Sequence, residues 1–144
     1  MNLIKTLPLT LILFCSQAIA YQGEIDKFFS LYESGKVTEA VDSIYSTNKW
    51  LDRKSDDVEK VKSQLSNINN LVGEYYGKTK LGVSDIEDRL IYVSYLALYE
   101  RQPIRMEFVF YRPEEKWIIY SFSFDDNIDN ELIDAARSKI AGYK

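Results

Sequence analysis

The sequence predicts an α+β domain in which N-terminal helices pack on an antiparallel sheet and one further helix follows the last strand. Apolar residues recur with the period of a helix through the first half of the chain. In the second half, Val, Ile, Tyr and Phe crowd into short runs separated by turn residues, which is typical of strands. No repeat or linker interrupts this order, so we expect residues 21–144 to form a single domain.

Three helices are expected before the sheet. Their apolar stripes lie within residues 25–32, 37–45 and 58–72. Gly35 is expected to end the first helix, because glycine readily adopts the left-handed conformation found at helix C-termini. The pair Trp50-Leu51, which follows the second stripe, is expected to close that helix against the core.

Four strands are expected after the helices, within residues 78–83, 89–99, 104–112 and 116–125. The first of them is the weakest, and the second is apolar on nearly every position. A closing helix over residues 130–141 carries four apolar residues on one face: Leu132, Ile133, Ala136 and Ile140.

The turn between the last two strands determines which side chains share a face. Pro113 suits a three-residue hairpin loop in which Arg112 pairs with Lys116. This register predicts a core-facing set of residues: Ile104, Met106, Phe108, Phe110, Ile118, Tyr120, Phe122 and Phe124. The outer face then carries the alternate residues: Arg105, Glu107, Val109, Tyr111, Trp117, Ile119, Ser121 and Ser123. A slip of one residue would mix the two sets, which favours this register.

The N-terminus has the pattern of a signal peptide over residues 1–20. Lys5 supplies a positive charge, residues 7–15 are mostly apolar, and small residues precede a cleavage point after Ala20. The apolar run is too short for a retained anchor, which needs roughly 18 residues, so no stable membrane insertion is expected after cleavage. Lipidation at Cys15 is the other alternative, but a bulky residue precedes it. The mature chain is therefore expected in the periplasm or outside the cell.

The composition of the mature chain excludes several kinds of chemistry. Without its leader the chain has neither cysteine nor histidine, so disulfides, thiol or histidine catalysis and Cys/His zinc sites are excluded. No cofactor and no metal is expected, since the acidic segment 125–131 lacks the glycine and glutamate of an EF-hand loop. Loss of Lys5 moves the net charge from −4 to −5. The charges are interspersed, which disfavours nucleic acid and anionic membranes as partners.

The order of elements, helices followed by a meander of long strands, resembles the nuclear-transport-factor-two-like superfamily, also described as the cystatin-like cone. The segments that carry the resemblance are Phe28-Phe29, Ser34-Gly35, Glu39-Ala40-Val41, Met106-Glu107-Phe108-Val109-Phe110, Trp117-Ile118-Ile119-Tyr120 and the charged turn before Trp117. The resemblance implies a curved sheet wrapped around a helix, with a conical pocket that different members use for binding, catalysis or dimerisation. The C-terminal helix departs from the simplest plan, and such a fold hosts unrelated activities.

The first functional hypothesis is a non-catalytic binding or protein-interaction domain. A small apolar ligand would occupy the cone, and the pocket candidates are Met106, Phe108, Tyr120, Phe122 and Tyr92. The competing interpretation of the same residues is a filled core.

A protein partner or a second copy of the chain would instead use the outer sheet face. The interface candidates are Val109, Tyr111, Trp117 and Ile119. The alternative for this face is that the C-terminal helix covers it.

The second functional hypothesis is a small enzyme that uses a buried carboxylate and a tyrosine for acid–base chemistry on an apolar carbonyl compound. Tyr92 and Tyr120 are the available donors, but the predicted register turns Glu107 outward, where it is expected to pair with Arg105 or another neighbouring charge. No catalytic residue is assigned, and the sequence favours a domain that is not an enzyme.

Overall fold

The structure, a computed structural model, describes residues 18–142. Residues 1–17 of the expected leader lie outside this range, so cleavage after Ala20 stays a prediction. The elements are α1 Ala18–Glu33, α2 Val37–Tyr45, α3 Asp56–Ser66, α4 Ile68–Val72, β1 Tyr75–Ile86, β2 Leu90–Tyr99, β3 Ile104–Tyr111, β4 Ile118–Asp125 and α5 Asp129–Ile140. The predicted α+β class is confirmed.

Helix α1 supplies the helical half of the core. Ile25, Phe28, Phe29 and Tyr32 are all buried, because the helical period places them on one side of the helix. Gly35 follows the helix with φ of +77°, in the left-handed region that glycine adopts without strain. The chain then reverses into α2, which buries a second apolar stripe.

The third predicted helix is divided into two. Helix α3 begins after Ser55, whose Oγ accepts a hydrogen bond from the Val58 N–H at 3.4 Å. Asn67 separates α3 from the short α4. Gly73 ends α4 with φ of +88°, and a Cβ at this position would lie 2.6 Å from Oε2 of Glu100. Glycine is therefore required where the helices join the sheet.

The four strands form an open antiparallel sheet in the order β1-β2-β3-β4. Strand β1 is 12 residues long and extends three residues beyond the predicted range 78–83 at each end, because Tyr75-Tyr76-Gly77 and Ser84-Asp85-Ile86 show no alternation of apolar and polar residues. The free edge of β4 is partly covered by the loop after α2. Asn48 Nδ2 donates to the carbonyl of Ile119 at 2.8 Å, and the Ile119 N–H donates to Thr47 Oγ1 at 2.8 Å.

The predicted register of the last hairpin is wrong. Phe110 pairs with Ile119 and Val109 pairs with Ser121, which leaves Tyr120 as an extra residue on β4. An extra residue of this kind is a β-bulge, and it reverses the side on which the preceding side chains lie. Residues of β4 after the bulge keep their predicted side, whereas residues before it take the opposite side. The faces of β3 are as predicted.

Aromatic side chains fill the space between α1 and the sheet. The ring centroid of Phe28 lies 5.2 Å from that of Phe108 and 5.1 Å from that of Phe122, and the latter two rings are 5.0 Å apart. Phe28 and Phe108 have no exposed surface, and neither has Met106 beside them on β3. These distances are van der Waals contacts between rings, so this part of the interior is packed.

Two apolar segments lie outside the core. Helix α5 has no buried residue, and the ion pair between Glu131 and Arg105 joins it to the sheet. Leu51 is partly buried against the core as predicted, whereas Trp50 is 79% exposed, so the predicted packing of Trp50 against the core is wrong. The reason is the turn after α2, in which the Trp50 N–H donates to Asn48 Oδ1 at 3.0 Å and directs the chain outward.

Among residues 18–142, no helix has the length and apolar character needed to cross a membrane.

In the β1–β2 turn, Glu87 and Asp88 adopt φ values of +47° and +52°, which lie in the left-handed region. A left-handed conformation costs an L-residue roughly 1–2 kcal/mol. Glycine avoids this cost, but it loses more conformational entropy on folding, which offsets part of the gain in stability. We expect Glu87→Gly to raise the free energy of unfolding in urea by roughly 0.5–1 kcal/mol. The control is Glu114→Gly, an exposed turn position outside the positive-φ set, where a small loss is expected. A loss of stability in Glu87→Gly equal to the loss in Glu114→Gly would contradict backbone strain at Glu87.

Candidate binding surface

The outer face of the sheet, meaning the face turned away from α1, is organised in rows of four residues. From β1 to β4 the rows are Ile86, Leu90, Tyr111, Ile118; Ser84, Tyr92, Val109, Ser121; Gly82, Ser94, Glu107, Ser123; and Thr79, Leu96, Arg105, Asp125. The character of the face therefore changes along the strands. One end is apolar, the middle carries hydroxyl groups, and the other end is charged.

The first of these rows, which we call the apolar row, is the most exposed apolar part of the face. Ile86 and Tyr111 are exposed, at 63% and 41%, and Leu90 and Ile118 are partly exposed. Adjacent strands lie about 4.8 Å apart, so the row spans the sheet over roughly 15 Å. A contiguous apolar stretch that includes a tyrosine is typical of a surface that binds another protein.

A groove of about 560 Å³ adjoins the apolar row at Ile118. It lies between the loop after α2 and the turn 113–116. The exposed ring of Trp50 lines it, and Lys49 Nζ sits 4.8 Å from the centroid of that ring. Hydrogen bonds from the loop to β4 hold one wall in place. The groove therefore extends the apolar row with a second aromatic side chain.

Glu107 occupies the middle of the outer face. Its carboxylate accepts hydrogen bonds from the Tyr92 hydroxyl at 2.6 Å and from Ser123 Oγ at 3.1 Å, and Arg105 Nε lies 3.3 Å away. Desolvation of the hydroxyl raises the pKa of Tyr92, and the hydrogen bond to Glu107 raises it further. The expected pairing of Glu107 with Arg105 is present. The carboxylate thus has three partners, and the Glu107 side chain is only 21% exposed.

Arg105 gathers the acids at the charged end of the face. Its guanidinium bonds to Glu131 and, at 3.0 Å and 3.1 Å, to both oxygens of Asp125. The hydrogen bond to Glu131 is the largest cause of a raised pKa for Arg105, followed by that to Asp125. Two acids of the segment 125–131 are therefore partners of an arginine. Within residues 18–142, no group of three or more acidic side chains is placed to hold a metal ion.

The five pocket candidates do not line one cavity. Three are buried in the core: Met106, Phe108 and Phe122. Tyr120 is 67% exposed, so the prediction that its hydroxyl faces the interior is wrong, and the bulge is the physical reason. Tyr92 lies on the outer face, where its hydroxyl is committed to Glu107.

The four interface candidates are divided between the two faces. Val109 and Tyr111 lie on the outer face as predicted. Trp117 and Ile119 are buried on the core side, which corrects their predicted placement. Because they precede the bulge, they turn inward, and the Trp117 ring meets that of Tyr21 edge-on at 5.7 Å.

Sequence reasoning missed the other members of this surface. Leu90 and Ile86 flank a turn, and their alignment with Tyr111 depends on strand register that no local pattern reveals. Trp50 offered a signal that was misinterpreted, since charged residues surround it on both sides in the sequence.

A chain of phenols on the core side was also missed. The Tyr32 and Tyr99 hydroxyls are hydrogen-bonded to each other, and the ring of Tyr99 lies 5.4 Å from that of Tyr75. Tyr75 donates to Glu33 at 3.0 Å, and Lys78 donates to the same carboxylate at 2.6 Å. Burial is the main cause that raises the pKa of all three tyrosines above 10.0.

These raised pKa values predict a loss of stability in alkali. A folded-state pKa above the unfolded value of 10.0 means that stability is fully present below about pH 10 and falls as the pH rises through the folded values. We expect the double variant Tyr32→Phe/Tyr99→Phe to be nearly as stable as wild type at neutral pH and to lose less stability by about pH 11. Denaturant titrations at both pH values measure this.

The control is Tyr120→Phe, which removes an exposed hydroxyl and should leave the alkaline loss unchanged. An identical alkaline loss in the double variant and in wild type would contradict the assignment to buried phenols.

Comparisons of the chain with models of protein families, with curated proteins and with solved structures returned no match. The function is therefore argued from the surface itself.

Proposed function

We propose that the chain is an exported, non-catalytic domain that binds a protein partner through the outer face of its sheet. The observation that carries this proposal is the apolar row, which crosses all four strands and continues into the groove beside Trp50. The described helices leave this row exposed. Tyrosine and tryptophan are the residue types that contribute most to binding at protein interfaces, and here one of each flanks Ile118.

The shape of the surface favours a protein over a small ligand. An apolar ligand needs an enclosed space, and the interior expected to provide it is occupied by the contacts among Phe28, Phe108 and Phe122. The apolar row is instead spread over roughly 15 Å of sheet. A partner with its own apolar stripe would bury the row and place one side chain in the groove beside Trp50.

The charged end of the face supports a role in orientation. Arg105 and Glu107 are held by several partners, so their charges have fixed positions on the same face, three and two rows away from the apolar row. Charged groups at the rim of an interface contribute more to orientation and association rate than to affinity.

The enzyme alternative draws on the contact between Tyr92 and Glu107 at 2.6 Å. Acid–base chemistry of that kind needs a carboxylate in an apolar pocket, where burial raises its pKa. Glu107 instead lies on the outer face, where its carboxylate forms an ion pair with Arg105. We therefore propose binding and assign no catalytic residue.

Export is part of the proposal and rests on the leader pattern. The first residue after the expected cleavage point, Tyr21, packs against Trp117 and Phe110 within the folded domain. The order of helices followed by a four-stranded meander supports the resemblance to the nuclear-transport-factor-two-like superfamily. Membership of that superfamily remains our proposal, and it adds no function.

Site-specific photo-crosslinking in the exporting cell tests the interface. A photoreactive amino acid at Tyr111 or Ile118 is expected to capture the same partner, since the two positions are neighbours in the apolar row. Tyr76 is the control, because it is similarly exposed and lies at the far end of β1. Trp50→Ala should lower the yield from Ile118 by more than about tenfold.

Crosslinks to one protein from both row positions, with none from Tyr76, are the expected result. Equal crosslinking from Tyr76, or unrelated products from Tyr111 and Ile118, would contradict an interface on the outer face.

A further inference from the structure

Strand β1 leaves one side of the sheet open. In the described part of the chain it pairs only with β2, through ten of its 12 residues, and everything from Thr79 to the hairpin turn is exposed. The opposite edge differs, since Ile119 of β4 has both backbone groups bonded to the loop after α2. An open edge presents unpaired N–H and C=O groups to any strand that fits.

The side chains of β1 restrict which strand can fit. Lys78 and Lys80 lie in its first half, and Asp85 lies near its end. Two register irregularities, at Tyr75/Gly77 and Lys80/Gly82, further disturb the edge. Lysines and bulges prevent indiscriminate edge pairing. A strand that brings a carboxylate to the position opposite Lys80 would overcome this barrier.

We infer that this strand is β1 of a second copy of the chain. Lys80, Val83 and Asp85 share the core-side face, because their β2 partners Tyr95, Val93 and Ile91 are the buried residues of that strand: these pairings fix the face of all three. Opposed residues in an antiparallel pair also share a face. The register shift at Lys80/Gly82 leaves Leu81 as an extra residue, so Lys80 and Asp85 are each two paired positions from Val83. With Leu81 also left unpaired between the copies, a twofold axis at Val83 sets Lys80 opposite Asp85 of the second copy and sets the reciprocal pair on the other side.

The charges in these pairs are available in the single chain. Within residues 18–142, no ion pair of 4.0 Å or less includes Lys80 or Asp85. The contacts of Lys80 Nζ are with uncharged groups, since it donates to the side chain of Gln22 at 2.6 Å and lies 5.5 Å from the ring centroid of Tyr95. Lys78 differs, because Glu33 already neutralises it. Val83 is 49% exposed and would bury its apolar surface against its own copy.

Pairing in this way joins two four-stranded sheets into one sheet of eight strands. An interface made from one pair of edges buries less area than a standard stable complex. The dimer is therefore weak, with a dissociation constant on the order of tens of micromolar. It uses the β1 edge and does not depend on the partner proposed for the apolar row, so each proposal can fail alone.

Charge exchange tests the inference in protein purified from exporting cells. Sedimentation over a range of concentrations is expected to show a monomer–dimer equilibrium that Lys80→Glu or Asp85→Lys alone weakens at least tenfold. The double variant Lys80→Glu/Asp85→Lys should restore it, because the two charges exchange places. Lys78→Glu is not a suitable control, since it also breaks the pair with Glu33. A monomer at all concentrations, or a double variant weaker than both single variants, would overturn the inference.

A single cysteine reports the register independently. The expected mature chain has no cysteine, so Val83→Cys introduces the sole thiol at the twofold axis, where a disulfide between copies is geometrically allowed. Ser84→Cys is the matched control, because Ser84 lies on the opposite face and would meet Gly82 of the second copy. Efficient crosslinking at Val83 and little at Ser84 supports the axis, and equal crosslinking at both overturns it.

Discussion

The contact of Phe28 with Phe108 and Phe122 is the constraint on which the rest of the structure depends. It joins α1 to the two strands at the centre and edge of the sheet, with ring separations of 5.0–5.2 Å among the three side chains. Because the rings occupy the space between helix and sheet, they determine which face of each strand is core. They also leave the opposite face as the place where a binding partner can reach apolar side chains. The aromatic core therefore lies on one face of the sheet, and the surface proposed to bind a partner lies on the other.

The bulge at Tyr120 allows that division on β4. In a regular strand, successive side chains lie on opposite faces. Without the extra residue, Trp117 and Phe122 could not both lie on the core side, because an odd number of positions separates them. The extra residue lets Phe122 face α1 while Trp117 also turns inward, and Tyr120 itself moves to solvent. Ile118 is thereby placed on the outer face, next to Tyr111, and completes the apolar row. A local irregularity thus builds part of the candidate surface.

Periodicity in the sequence predicted the elements that bury one complete face. The stripe of α1, the alternation of β3 and the partnership of Glu107 with Arg105 all follow from residue spacing, because the core imposes that spacing. The length of β1 could not be predicted, since its first three and last three residues carry no alternation. The side of Trp117 could not either, because bulge formation depends on the whole register between two strands. The candidate surface was therefore only half predicted.

Tryptophan fluorescence tests the sidedness of the sheet most directly. The chain has two tryptophans, so Trp50→Phe leaves Trp117 as the sole one. Because Trp117 is only 8% exposed, we expect the variant to show blue-shifted emission that a soluble quencher barely reduces. The wild-type chain should be quenched much more strongly, because its Trp50 is exposed. Red-shifted emission with strong quenching in the variant would place Trp117 on the outer face. That result would contradict both the bulge and the place of Ile118 in the apolar row.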